Sequence, residues 1–182
     1  MDDLHLSYFG SQLIHPFMSE ELVPEPVSSD VELAQAAAQA MFERDAASKG
    51  LGMKIKSMAP GSACVEMPVR VDMLNGHQTC HGGYIFTLAD SAFAFACNSH
   101  NQNTVSSGCN IDYLLPAYPG DVLTATATEL SRGRKTGVYD VTVRNQHGAQ
   151  IALLRGNSYQ VKGTVLSAGS GTPVPSTNHQ RN

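Results

Sequence analysis

A helix-length run of mostly apolar residues with a single acid in its middle is the feature that most constrains the fold. Residues 83–98 read GYIFTLADSAFAFACN, and Asp90 is their only charged residue. A helix that is apolar on nearly every face is stable only when other elements cover it on most sides. The sequence therefore predicts a buried central helix that contains a carboxylate.

Segments with strand-like alternation lie on both sides of this run. Before it, residues 51–60 and 61–71 alternate apolar and polar side chains around a Pro-Gly turn, which predicts a hairpin. After it come four more strand candidates separated by turn residues, at 104–116, 121–131, 136–145 and 149–161. We expect these four to form a meander of consecutive, antiparallel strands.

Residues 30–50 place helix formers and apolar residues at helical spacing, between a possible N-cap at Asp30 and a stop at Gly50. This predicts one N-terminal helix. Since only one other helical segment interrupts the strands, the simplest architecture is α+β, with a curved antiparallel sheet wrapped around one long central helix. That arrangement is the hotdog fold.

The chain has 182 residues, of which 42% are hydrophobic and 15% charged, and this fits one domain with loose ends. We expect the domain at 30–162. A flexible extension is predicted at 1–29 and a disordered tail at 163–182, because neither segment has a lasting period and the tail is rich in Gly, Ser, Thr and Pro.

Charge and hydropathy argue against two classes of partner. The net charge is −4 and the basic residues are scattered, so no face suits a nucleic acid. No apolar stretch is long enough for a membrane span, and the N-terminus lacks a signal-peptide pattern, so we expect a cytoplasmic protein without a membrane partner. Four cysteines without a CxxC pair predict reduced core thiols.

Asp90 has two interpretations. A carboxylate in an apolar helix is costly unless it is paired, hydrogen-bonded or kept for function. It is either a structural acid satisfied by Thr87 or Ser91, or a catalytic group. Gly82 and Gly83 favour catalysis, because backbone N–H groups at a helix N-terminus suit a developing oxyanion, although a glycine pair by itself also permits a tight turn.

Gly82 and Asp90 are too far apart for one chain to apply both to one carbonyl. Eight residues of helix separate them by roughly 12 Å. Two chains packed with their helices antiparallel would bring the N-terminus of one helix beside the acid of the other. We therefore expect a symmetric dimer with two composite sites.

Four segments of the chain resemble, in order, the PaaI-like acyl-CoA thioesterases of the hotdog superfamily. They are LNGHQTCHGGYIFTLADSAFAFACNS, IDYLLPAYPGDVLTATA, KTGVYDVTVRNQ and ALLRGNSYQ, and they extend from about residue 30 to residue 162. The resemblance implies hydrolysis of a CoA thioester without a cofactor. It also implies phenylacetyl-CoA or hydroxyphenylacetyl-CoA as the substrate, and dimers that join into a homotetramer.

By the same resemblance, Asp90 is the catalytic carboxylate, acting as a general base or as a nucleophile. The Gly82 N–H polarises the thioester carbonyl across the dimer interface. Asn75 orients the water or the thioester, although an asparagine that caps its own loop is the alternative. His81 and Gly83 are expected beside the substrate. His81 is expected to hydrogen-bond to the glycine loop, and a role as acid or base is the alternative.

The phosphates of CoA favour basic side chains and exposed N–H groups. Candidate contacts are Arg134, Lys135, Thr136 and Arg155, and an ordinary solvated basic turn is the alternative. The pattern HQTCH at 77–81 lacks the ligand set of a zinc or haem site, so no metal is predicted.

Two other functions remain open at this point. Hotdog hydratases and dehydratases generally use a catalytic histidine, which residues 83–98 lack, and a non-catalytic acyl-CoA-binding module has no need of the acid. The acyl group is not readable either. Tyr84, Phe93, Phe95 and Tyr113 either line an aryl pocket or fill the core.

Overall fold

The computed structural model describes residues 29–166, so residues 1–28 of the extension predicted at 1–29 and residues 167–182 of the predicted tail lie outside the described residues. The helices are α1 (Ser29–Arg44), α2 (Ala46–Gly50) and α3 (Gly82–Asn98). The strands are β1 (Lys54–Ala59), β2 (Ser62–Pro68), β3 (Thr104–Tyr113), β4 (Val122–Arg132), β5 (Thr136–Arg144) and β6 (Gln150–Gln160). The predicted α+β arrangement of one antiparallel sheet with a central helix and N-terminal helical structure is confirmed.

The strand order is β1-β2-β4-β5-β6-β3, and every neighbouring pair is antiparallel. The predicted hairpin is present, but the predicted meander of four consecutive strands is wrong for β3, which pairs with β6 at the sheet edge. The segment 114–121 between β3 and β4 contains two prolines and is longer than a hairpin turn allows. Its backbone instead bonds to the chain before α3, where the Cys80 N–H donates to the Ala117 carbonyl.

The central helix packs its apolar side chains against β2, β3, β4, β5 and β6. Phe93 and Leu88 are fully buried there, and a Cβ at Gly156 of β6 would lie 3.0 Å from the Phe93 ring. One stripe of α3 stays partly exposed, and we call it the open stripe; its members are Gly83, Thr87, Asp90 and Ala94. Asp90 therefore lies where α3 is only partly covered, next to the edge strand β3.

The N-terminal helix predicted at 30–50 is divided into α1 and α2. Asp45 separates them because its carboxylate accepts hydrogen bonds from the Ser48 N–H and hydroxyl, which caps a new helix. The Ser48 hydroxyl also lies 3.0 Å from the Ser91 hydroxyl. The break thus anchors α2 to the middle of α3.

Residues 163–166 belong to the segment predicted as a disordered tail, and the structure packs them against the loop that follows α3. Asn101 Oδ1 accepts from the Leu166 N–H at 2.8 Å, and the Gly163 carbonyl accepts from the Asn103 N–H at 3.2 Å. Val165 is buried. The described chain is accordingly packed against the domain as far as residue 166.

Within the described part of the chain, no helix combines the length and the hydropathy that crossing a membrane would require.

Candidate active site

The N-terminus of α3 is organised so that one backbone N–H is left without an acceptor. His81 is the N-cap, and its Nδ1 accepts from the Gly83 N–H at 2.9 Å. This is the contact with the glycine loop that the sequence predicts for His81. The Gly82 N–H has no hydrogen-bond partner among residues 29–166, and it lies at the positive end of the helix dipole.

Tyr113 at the end of β3 covers Gly82. Its hydroxyl donates to the Gly82 carbonyl at 3.0 Å, and a Cβ at residue 82 would meet its ring at 3.1 Å. A side chain at this position would therefore push the tyrosine aside. The close approach explains the glycine, and the hydrogen bond fixes the peptide next to the free N–H.

Asp90 is half-buried on the open stripe and has no basic partner in the described chain. The Thr87 hydroxyl donates to the Gly83 carbonyl, and the Ser91 hydroxyl bonds to Ser48, so neither satisfies the carboxylate. Its hydrogen-bond donor is the Cys109 thiol on β3, with Sγ 3.8 Å from Oδ1. Burial raises the pKa of Asp90, and the thiol contact lowers it by less. A carboxylate in this setting is suited to accept a proton.

Asn75 lies in the loop before α3, where its side chain is engaged by its own loop. Oδ1 accepts from the N–H groups of His77 at 2.8 Å and Thr79 at 3.3 Å. Nδ2 lies 3.1 Å from the Thr79 hydroxyl oxygen. The structure therefore shows the loop-capping alternative, and any role toward the substrate remains a prediction.

The helix runs antiparallel to β3, so its two ends lie at opposite ends of that strand. Gly82 lies beside Tyr113, Asp90 beside Cys109, and Asn98 bonds to the backbone of Thr104. Gly82 and Asp90 both belong to α3 and lie eight positions apart, as in the sequence prediction. The structure does not bring these two groups together within one chain.

The basic turn between β4 and β5 lies near the C-terminal end of α3. Arg134, Lys135 and Thr136 are all exposed, and the Lys135 carbonyl accepts from the Gln160 N–H. The Lys135 ammonium is 5.9 Å from the centre of the Tyr159 ring. Arg134, Lys135 and Lys162 line a surface cavity of about 630 Å³ together with Tyr159. Three cations around an aromatic face would suit a phosphorylated nucleotide.

Arg155 is separated from these groups. It lies on the outer face of the sheet, because the positions on either side of it face inward. Leu154 is buried, and a Cβ at Gly156 would meet the Phe93 ring. Its guanidinium forms a bidentate ion pair with Asp140, with both distances 2.7 Å, and this hydrogen bonding lowers the pKa of Asp140. Arg155 is therefore already paired within its own chain.

The aromatic candidates divide into two pairs. Phe93 packs on Tyr139 and Phe95 on Phe42, and both phenylalanines are buried, so they fill the core. Tyr84 and Tyr113 lie at the N-terminus of α3 and stay partly exposed. As for metals, residues 29–166 contain no group of three or more His, Cys, Asp or Glu side chains placed to hold an ion.

The sequence did not reveal two contacts of the site, because it predicts Cys109 as a core cysteine and Tyr113 as a residue that either lines an aryl pocket or fills the core. The alternation of β3 could have placed Cys109 on the helix side, together with Ile111. Which residue of α3 faces Cys109 depends on how α3 lies over β3. No pattern in the sequence specifies that register.

Comparisons with known proteins identify the family and the fold of the chain. The family model described as Thioesterase superfamily matches residues 77–152. The acyl-coenzyme A thioesterase PaaI of Escherichia coli is 52% identical over 70% of this chain and 91% of its own length. The structure of the E. coli PaaI protein from the phenylacetic acid degradation operon aligns with a TM-score of 0.74 at 51% identity, covering 75% of this chain and 99% of that one.

A hypothetical thioesterase from Streptococcus pneumoniae, solved with coenzyme A, is 28% identical, with a TM-score of 0.62 over 69% of this chain and 96% of that one. The match to the family model includes His81, the central helix, β3, β4, β5 and the start of β6. The sequence-based family assignment and the hotdog fold are both confirmed. The chain belongs to the thioesterase superfamily, in its PaaI-like hotdog group, and is a thioester hydrolase.

Proposed function

We propose that the protein hydrolyses acyl-CoA thioesters to a free acid and CoA, with Asp90 as the general base. The observation that carries the proposal is a half-buried carboxylate on a partly exposed helix face, where no cation or hydroxyl of residues 29–166 binds it. Two relatives add support, since one bears the name acyl-coenzyme A thioesterase and another was solved with coenzyme A. The reaction needs no cofactor, because CoA is part of the substrate.

In this mechanism Asp90 takes a proton from a water molecule that attacks the thioester carbonyl. The resulting oxyanion accepts a hydrogen bond from the free Gly82 N–H, which lies at a helix N-terminus. When the C–S bond breaks, protonated Asp90 returns its proton to the departing thiolate. A thioester carbonyl is already electrophilic, so a base and an oxyanion donor supply the main requirements.

The two groups come from different chains in this proposal. The outer edge of β3 has no partner strand in the described chain, and the open stripe of α3 is uncovered. A second copy packed with its α3 antiparallel would place its Gly82 toward the C-terminal half of this helix. Asp90 and the basic turn of one chain would then share a site with Gly82 of the other. Two such dimers are proposed to form the tetramer.

We propose phenylacetyl-CoA or hydroxyphenylacetyl-CoA as the substrate, because the E. coli relative derives from a phenylacetic acid degradation operon. Tyr84 and Tyr113 are the aromatic side chains available near Gly82 for a ring. Arg134 and Lys135 contact the CoA phosphates in this arrangement. The cytoplasmic location stays a prediction.

A hydrolysis screen tests the proposal. Purified protein is assayed for thiol release from phenylacetyl-, hydroxyphenylacetyl-, benzoyl-, acetyl- and palmitoyl-CoA, and we expect the aryl-acetyl thioesters to have the highest kcat/KM. Asp90→Asn should lower kcat by about 10²–10⁴-fold without unfolding the protein, since it removes the base and keeps the shape. Wild-type turnover in this variant would overturn the role of Asp90. Tight binding of CoA thioesters without turnover would favour a binding module instead.

A further inference from the structure

The hydrogen bond between Cys109 on β3 and the Asp90 carboxylate on α3 has no role in the mechanism proposed above. We propose that Cys109 is a positioning residue, whose thiol donates a hydrogen bond to Asp90 and holds its carboxylate ionised and oriented. The inference rests on the proposed function of Asp90 as the base. Cys109 pairs with Gly156 in the register of β3 and β6, so its side chain faces α3, and Sγ lies 3.8 Å from Oδ1.

A second contact fixes the direction of these hydrogen bonds. The Ser106 hydroxyl lies 3.3 Å from the Cys109 sulfur. An ionised carboxylate accepts only, and a thiol has one proton, so the thiol donates to Asp90 while Ser106 donates to the sulfur. The result is a chain of donors that runs from Ser106 through Cys109 to the base.

A bulge in β3 allows the hydrogen bond between Ser106 and Cys109. Residues three apart on a regular strand point to opposite faces. The register with β6 shifts between Ser106 and Gly108, and this bulge turns the Ser106 side chain to the same side as Cys109. The irregularity of the strand is thus what allows the two side chains to touch.

The protonation state of Cys109 supports a donor and argues against a nucleophile. Burial raises the pKa of the thiol, and the neighbouring Asp90 charge raises it further, while the Ser106 contact lowers it by less than burial raises it. The thiol therefore stays protonated at neutral pH. A protonated thiol is a weak donor and a poor nucleophile.

Few other groups act on the charge of Asp90. On its own helix the Cys97 thiol interacts with it, and burial raises the pKa of Cys97 to about 12, so that thiol is also neutral. On β3 the titratable side chain that faces it is Cys109. Within residues 29–166 no Lys, Arg or His forms an ion pair with it. The thiol hydrogen bond is therefore what opposes the effect of burial on the carboxylate.

The test compares Cys109→Ala, Cys109→Ser and the wild-type protein, with Cys64→Ala as a matched control. Cys64 is also half-buried, but it lies on β2 and contacts Thr126. The pKa of Asp90 is measured directly by titrating its ¹³C carboxyl resonance, assigned by its loss in Asp90→Asn. The pH profile of kcat/KM for a CoA thioester is measured in parallel.

Cys109→Ala should raise the Asp90 pKa by about 0.5–1 unit, because a hydrogen bond to the charged form is lost. At acidic pH this shift lowers kcat/KM by about 3–10-fold, and the loss should disappear on the alkaline side. Cys109→Ser keeps a hydroxyl donor, so its Asp90 pKa should stay at or below the wild-type value. Cys64→Ala should match the wild type.

An unchanged Asp90 pKa in Cys109→Ala would overturn the inference. So would an equal rise in Cys109→Ser, because the effect would then follow from packing and not from the donor. If the wild-type protein hydrolyses no CoA thioester, the proposed function fails, while the carboxyl titration still decides whether Cys109 acts on Asp90.

Discussion

At the scale of single residues, the chain keeps an acid where burial opposes its charge. Asp90 is half-buried, its pKa is raised, and the nearby hydroxyls of Thr87 and Ser91 bond elsewhere. Such a group lowers the free energy of unfolding at neutral pH. Stability is given up at the position of the proposed base, as is common for catalytic groups.

Asp90→Asn should therefore raise Tm at pH 7 by about 1–3 °C. A raised pKa in the folded state means that the contribution of Asp90 to stability is fully present only below its unfolded pKa of about 4, and is lost as the pH rises through the folded-state pKa. Asparagine keeps the shape without the charge. Calorimetry at pH 7 and pH 4 checks this, and the difference in Tm should shrink at pH 4. A variant less stable than the wild type at pH 7 would contradict the assignment of an unfavourable charge.

A substitution at Asn75 can separate its role in the loop from a role toward the substrate. Asn75→Asp keeps the oxygen that accepts from His77 and Thr79 and removes the amide donor. We expect Tm to stay within about 2 °C and kcat/KM to fall at least about tenfold, as for loss of one oxyanion donor. Asn75→Ala is the matched control and should lower Tm as well. Full activity in Asn75→Asp would leave Asn75 with the loop role alone.

At the scale of elements, the parts of the fold that depend on local pattern could be predicted. The β1–β2 hairpin and the central helix follow from alternation, turn residues and an apolar run. The position of β3 could not, because pairing with β6 depends on the path of residues 114–121. The break at Asp45 was missed for a similar reason. The hydrogen bond between Ser48 and Ser91, which anchors α2 to α3, depends on tertiary packing.

The candidate site shows the same limit. The acid at 90 and the glycine at 82 stand out in the sequence because each is unusual where it lies. Their surroundings do not, since Cys109 and Tyr113 reach them from a strand whose register against α3 is set by tertiary packing. Arg155 looked similar to the other basic residues, yet strand alternation and Asp140 hold it on the outer face.

The basic turn between β4 and β5 gives a prediction at this scale. Lys135→Ala should raise KM for acyl-CoA several-fold with little change in kcat, because a phosphate contact far from the carbonyl contributes uniform binding. With the corresponding acyl-pantetheine, which lacks the nucleotide, KM should not change. Lys54→Ala, an exposed lysine on β1, is the control. An equal rise in KM for both substrates would mean that Lys135 does not contact the CoA phosphates and that the turn is an ordinary solvated surface.

At the scale of the whole molecule, the described chain contains both halves of a site but not at one place. Gly82 begins α3, Asp90 lies in its middle, and roughly 12 Å of helix separates them. The open stripe and the free edge of β3 lie on the side where a second chain would complete the site. The proposed catalytic unit is therefore larger than one chain.

Mixing two inactive variants tests this directly. Asp90→Asn lacks the base, and Gly82→Pro lacks the donor N–H. On subunit exchange, one site of each heterodimer receives an intact Gly82 and an intact Asp90, so activity should return to about half of the wild-type value per heterodimer. The measurement is thioester hydrolysis against the time of exchange. Well-folded, exchanged chains that stay inactive would exclude composite sites.

The proline variant has a matched control. Proline is acceptable at the first position of a helix, and the extended backbone of His81 suits a following proline. The added side-chain atoms would still press on Tyr113. Gly82→Ala introduces the same Cβ and keeps the N–H, so it separates the loss of the donor from displacement of the tyrosine ring.

The pairing of β3 with β6 also has a consequence during synthesis on the ribosome. The central helix and β3 emerge early, but residue 104 pairs with residue 160, so the last strand must leave the exit tunnel before the sheet can close. Until then α3 can pack against β2, β4 and β5, but β3 has no neighbour in the sheet, and long-range pairing of this kind is slow. Nascent chains should therefore pass through a stage in which β3 is unpaired, and this stage ends only when β6 is released.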